Sequence, residues 1–222
     1  SQGTVGAVHQ FLNGYRGGIS ALPIEGVATM PSTFQLFPHP LLDWVADVNG
    51  KRLEFDIFDV EFWRRHDWSI FDPRIQRRMD RHRDVWPQQD VFERWFEKRL
   101  ERGRGFVWSL MVPAGAVPLV KPLLLGGDCV PTPRRLVFEN IGGESIARLR
   151  PEQILLPTPG VDYESLMFAP GDGSVTRSSL VSRQDLSREV PRYEQEGLEP
   201  QREVLVCARH DALTSDDVLL DA

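Results

Sequence analysis

Gly171-Asp172-Gly173-Ser174-Val175 and, thirty-eight residues beyond that aspartate, Arg209-His210-Asp211-Ala212-Leu213 decide how this chain reads. Each stretch follows an apolar run: Leu166 to Ala169 before the first, and Glu203-Val204-Leu205-Val206-Cys207-Ala208 before the second. Short apolar runs bounded by turn residues read as buried strands, so the Asp and the His both fall on loops that leave core strands. A carboxylate and an imidazole placed in this way are two members of an acyl-transfer triad. The imidazole takes the nucleophile's proton, and the carboxylate fixes its tautomer and stabilises the imidazolium. Each residue also has a plainer reading. Gly-Asp-Gly suits a tight turn for backbone reasons alone, and His210 suits an exposed loop. Their order, each after a strand, favours the pair.

Outward from these loops, residues 117–125 read as a buried strand that ends at Gly126-Gly127. Arg135 to Glu139 reads as a second strand, with Ile146 to Leu149 as its hairpin partner across Asn140-Ile141-Gly142-Gly143. Ser215-Asp216-Asp217 is placed to cap a last helix beginning near Val218. Upstream, the apolar spacing of Val91, Phe92, Trp95, Phe96, Leu100 and Val107 predicts a helix over 88–110, with Gly103 and Gly105 weakening its last turn. Residues 1–42 are rich in Gly and Pro and read as irregular packed structure. They include an amphipathic piece at Val8 to Leu12 and a helical turn that Ser32 could cap. Aromatic residues crowd the next stretch, with Phe55, Phe58 and Phe62 followed by Trp63, Trp68 and Trp86. Core packing and a cap or binding surface both account for that density. The Arg74 to Arg83 run, interleaved with acids, reads as a solvated face.

Composition narrows the function classes. The 222 residues are 41% hydrophobic and 26% charged, as in ordinary globular domains, and the net charge of −6 argues against a nucleic-acid partner. No apolar run approaches the roughly 20 residues that span a bilayer, so no transmembrane segment is expected. Cys129 and Cys207 stand far apart beside apolar runs and read as buried free thiols, which implies a reducing, cytoplasmic setting. His9, His39, His66 and His82 show no metal-ligand spacing, so neither a metal nor another cofactor is expected. Arg64-Arg65 and Arg134-Arg135 could meet a phosphate or a carboxylate, although solvated or structural roles account for them better.

The segment Gly171 to Leu180 is similar to the G-D-G-[ST]-V…S-L stretch around the catalytic Asp of lecithin:cholesterol acyltransferase-like α/β-hydrolases. Val130-Pro131-Thr132-Pro133-Arg134 resembles their P-T-P-R segment, and Pro31 to Pro38 resembles a P-S-x-x-Q-L-x-P stretch of bacterial members. Ser1 to Ala7 looks like the end of the loop after their sixth core strand. The resemblance implies an α/β class, as the C-terminal part of an α/β-hydrolase fold with a cap or lid insertion. Residues 1–110 would be mostly that insertion, and residues 111–222 the last core strands with the Asp and His loops. It also implies Asp172 as triad acid and His210 as base, acting on hydrophobic, lipid-like esters. The departure is the nucleophile, because no G-x-S-x-G elbow occurs in the chain. Gly143-Glu144-Ser145-Ile146-Ala147 is the nearest approach, but Pro151 would break the helix an elbow needs, and a hairpin explains it better. The expected partner is therefore an N-terminal hydrolase portion carrying the Ser, which would also complete a sheet that two strands cannot make alone. The competing class is a non-catalytic binding or regulatory subunit that keeps a hydrolase-like scaffold.

Overall fold

The computed structural model describes residues 3–17, 20–112, 123–181 and 202–220. Helix α1 (Val5–Asn13) starts at Thr4, whose hydroxyl accepts from the Gly6 amide, and it turns Val5, Val8 and Phe11 inward. Phe11 is the hub of a cluster of rings. Its centroid lies 4.9 Å from Phe34, 4.8 Å from Phe37 and 5.6 Å from Trp63, all edge to face, the geometry that aromatic quadrupoles prefer. Trp63 is fully buried, and its indole N–H donates to the Ile57 carbonyl at 2.7 Å, so this buried donor is met. Trp68 and Phe62 join the same core. The aromatic density of 55–71 is thus interior packing.

A short antiparallel pair, β1 (Tyr15–Gly17) and β2 (Ser20–Leu22), leads to α2 (Ile24–Ala28) and a 3-10 segment over Pro31–Leu36. Ser32 does not cap that segment, contrary to expectation. Pro31 is already its first residue, so the start falls at Met30, which makes no side-chain cap. After β3 (Val45–Asp47), helices α3 (Val60–Arg65) and α4 (Pro73–Arg81) are capped by Asp59 and Asp72. The arginines of α4 are largely solvated, except that Arg78 grips the buried carboxylate of Glu25.

Helix α5 (Gln89–Ser109) forms where the periodicity placed it and buries Phe92, Phe96, Leu100, Gly103 and Val107 along one face. Gly103 does not weaken it. A Cβ there would stand 2.7 Å from the Phe34 carbonyl oxygen, so the missing side chain lets the 3-10 segment lie directly against the helix.

Beyond α5 the structure becomes small sheets. Strands β4 (Leu123–Gly127) and β9 (Arg202–Val206) pair in parallel, with Gly127 opposite Val206. Strand β5 (Val130–Pro133) pairs antiparallel with β8 (Phe168–Gly171). The expected hairpin is β6 (Leu136–Ile141) and β7 (Glu144–Arg148), turning at Gly142-Gly143, and β3 joins it in parallel along β6. Short helices α6 (Tyr163–Met167), α7 (Arg177–Val181) and α8 (Asp217–Leu220) complete the described elements. Residues 117–122, the first part of the strand expected before Gly126, lie outside them. Helices and small parallel and antiparallel sheets mix throughout, an arrangement compatible with the α/β class.

A further expectation is overturned here. Cys129 and Cys207 are not free thiols but a disulfide. Parallel pairing brings the C-terminal ends of β4 and β9 side by side, so residues 78 apart in sequence meet. The ground for a reducing compartment falls with that correction. No helix among the described residues is long and apolar enough to cross a membrane.

Candidate active site

Asp172 immediately follows β8, and its side chain is almost fully buried. Gly173 adopts φ +90°, which L side chains resist, and so lets the chain fold back over the carboxylate. Oδ1 accepts from the amides of Ser174 at 2.8 Å and Val175 at 2.7 Å. The loop is tied down from outside as well, since the Gly173 amide donates to the Thr132 hydroxyl on β5 at 2.7 Å. The turn reading of Gly-Asp-Gly is therefore correct, and it leaves Oδ2 available.

Oδ2 lies 2.8 Å from Nδ1 of His210. A carboxylate oxygen only accepts, so Nδ1 carries the proton and Nε2 is left as the basic nitrogen. The two residues also meet through the main chain, where the His210 amide donates to the Asp172 carbonyl at 2.8 Å. This double attachment fixes both the position and the tilt of the ring. The His210 side chain is 58% exposed while that of Asp172 is 5% exposed, so the dyad presents its base to solvent and hides its acid.

The scaffold beneath is built at the C-terminal ends of β4 and β9. The Asp128 amide continues the pairing to the Val206 carbonyl. One residue further along each strand, the Cys129–Cys207 bridge locks the ends together, three positions before His210. Gly127 fills the space between the two loops. A Cβ there would come within 2.5 Å of the Ala208 carbonyl oxygen and 2.7 Å of the Asp172 Cβ. The bridge, Thr132 and Gly127 were not read as parts of the site from sequence, although the P-T-P-R segment and Gly126-Gly127 were both visible signals.

The remaining candidates are placed elsewhere. Ser145 lies on β7 opposite Asn140, not on a strand-to-helix elbow, as the hairpin reading requires. The Ser145 main chain hydrogen-bonds His66, whose pKa is lowered by burial first and by Arg65 second. His66 sits among the rings of Phe55, Phe62, Trp68 and Phe138. His39 is buried, accepts from the Leu41 amide through Nδ1, and has its pKa lowered by burial. Arg64 is committed to Glu61 and Glu93. Among the described residues, no three His, Cys, Asp or Glu side chains converge to hold a metal ion. No family model and no curated protein matches the chain.

Proposed function

We propose that the chain supplies the acid and base of a serine-type acyl hydrolase or acyltransferase acting on hydrophobic, lipid-like esters. The observation that carries this reading is the 2.8 Å contact between a buried Asp172 carboxylate and the Nδ1 of an exposed His210. Asp172 holds the tautomer in which Nε2 is basic and stabilises the imidazolium that forms. Nε2 takes the proton of a serine hydroxyl as it attacks the ester carbonyl, then returns it to the departing alkoxide. Water or an alcohol, deprotonated in the same way, resolves the acyl-enzyme. The serine comes from an N-terminal hydrolase portion outside these 222 residues, which also extends the sheet at β4. Leu123 and Leu125 on that strand are 51% and 41% exposed, an apolar stretch of sheet face that such a portion would cover. Residues 1–110 act mostly as the cap. The exposed run of Phe106, Trp108, Leu110 and Val112 at its end supports an apolar substrate. The disulfide fits an oxidising compartment better than the cytoplasm.

The test uses the polypeptide that carries this chain together with its serine-bearing portion. On a medium-chain p-nitrophenyl ester, His210→Ala lowers kcat/KM by several orders of magnitude and Asp172→Asn by about 10⁴, through the wrong tautomer. Ser145→Ala leaves it unchanged. Wild-type activity in all three variants would sink the reading. So would a wild type that neither turns over esters nor labels with a fluorophosphonate. In either case the binding or regulatory subunit reading takes its place.

A further inference from the structure

The Cys129–Cys207 bridge combines two properties that a purely structural disulfide does not need. The first is access. Both cysteines are exposed, whereas the strand residues just behind them, Gly127 and Val206, are buried. A thiolate has to approach a disulfide sulfur in order to break the bond, so exposed bridges are the labile ones and bridges sealed in a core are inert.

The second property is position. Asp172 keeps its place without the bridge, because its Oδ1 accepts from the amides of Ser174 and Val175 and its loop is tied to Thr132 through the Gly173 amide. His210 is differently held. It follows the end of β9, with the bridge three positions before it, and it meets Asp172 through its ring and its main-chain amide. Where β4 and β9 end, the Asp128 amide donates to the Val206 carbonyl at 3.2 Å, and the covalent tie comes next. Opening that tie therefore loosens the strand end that carries the base and leaves the acid in its turn. Neither β4 nor β9 belongs to the continuous apolar core, so the loosening takes nothing from the ring-packed half.

We propose that the Cys129–Cys207 bridge is a reversible thiol–disulfide exchange site that reacts with a dithiol and, once opened, releases His210 from Asp172. A thiolate of the dithiol attacks one cysteine sulfur, the S–S bond breaks, and a mixed disulfide forms while the other cysteine leaves as a thiolate. The second sulfur of the dithiol then displaces the first cysteine. Cys129 and Cys207 end as two thiols and the dithiol as a disulfide, with two electrons and two protons transferred. This regulation depends on the Asp172–His210 contact and not on acyl chemistry, so its test needs no ester.

The polypeptide that carries this chain is incubated without denaturant in dithiothreitol, alkylated with iodoacetamide and digested, and the labelled cysteines are read by peptide mass spectrometry. Cys129 and Cys207 should be alkylated together and should escape alkylation again after oxidised dithiothreitol is added. Amide hydrogen exchange followed by nuclear magnetic resonance reads the consequence. On reduction the His210 amide should exchange about tenfold faster or more, as local opening requires, while the Gly173 amide and those of α5 keep their protection. The double variant Cys129→Ser, Cys207→Ser should show the fast His210 exchange with or without dithiothreitol. Three results would each overturn the proposal: a bridge that is reduced only in denaturant, a His210 amide as protected after reduction as before, or protection lost along α5 as well, which would make the bridge a staple of the whole fold. Ester turnover measured in parallel tests the acyl reading separately. Inactivity in both redox states counts against that reading and leaves the exchange site standing.

Discussion

Around Phe11 the neighbours are rings, and around Asp172 they are amides, a hydroxyl and, just beyond, a disulfide. The continuous apolar core runs from Val5 to Val107 and takes in Leu136, Phe138 and Leu149, but no residue of β4, β5, β8 or β9 belongs to it. The first region is held by non-directional burial, which tolerates small shifts. The second is held by directional bonds and one covalent link, which fix angles but bury little. The proton transfer proposed for Asp172 and His210 would need the second kind of support, since its geometry has to be right to within tenths of an ångström. The corollary is that the dyad end has little apolar reserve among the described residues.

The sharpest way to break this contrast is at the ring cluster. Trp63→Ala should cost about 3–5 kcal/mol, the usual range for emptying a buried aromatic site, and chemical denaturation monitored by near-ultraviolet circular dichroism measures it. A loss under 1 kcal/mol would mean that the rings are not what holds the first region together.

Next in size is the bridge. Replacing both cysteines with serine should lower stability by about 2–4 kcal/mol, and hydrogen exchange should locate that loss. Amides of Leu123–Gly127 and Arg202–Val206 should exchange faster while those of α1 and α5 stay protected. Uniform acceleration would erase the distinction between the two regions.

The smallest effect is electrostatic and lies in the ring-packed half. His9, on α1, has its pKa lowered to about 4 by burial first and by the positive charge of Arg150 second. The unfolded chain binds this proton at a higher pH than the folded one does, so stability rises with pH across the window from 4 to 6.5. The contribution is complete above 6.5 and is lost as pH falls, amounting to about 2 kcal/mol by pH 5. His9→Leu should remove that portion of the slope in urea titrations at stepped pH. A variant with an unchanged slope would place the pH sensitivity outside the core.

What could be read in advance followed the range of the interactions. Helix α5 and the β6–β7 hairpin are local patterns, and their residues declare them by period and by turn. The Asp172–His210 pair was legible because each residue follows its own strand, in the order that the resemblance implies. Two features were not legible, each for a physical reason. The parallel β4–β9 pairing is non-local, so nothing near Cys129 indicates that Cys207 lies beside it. Gly103 looks like a helix defect until Phe34 is seen pressed against it.

Gly127 has no side chain, yet it rests against Asp172 on one side and the carbonyl two residues before His210 on the other. A methyl group at this position would push the acid and the base in opposite directions at once. In a survey of every single replacement along the chain, position 127 should therefore group with 172 and 210 in its intolerance. A reader of such data would then number beside the proposed acid and base a residue whose whole contribution is the room it leaves.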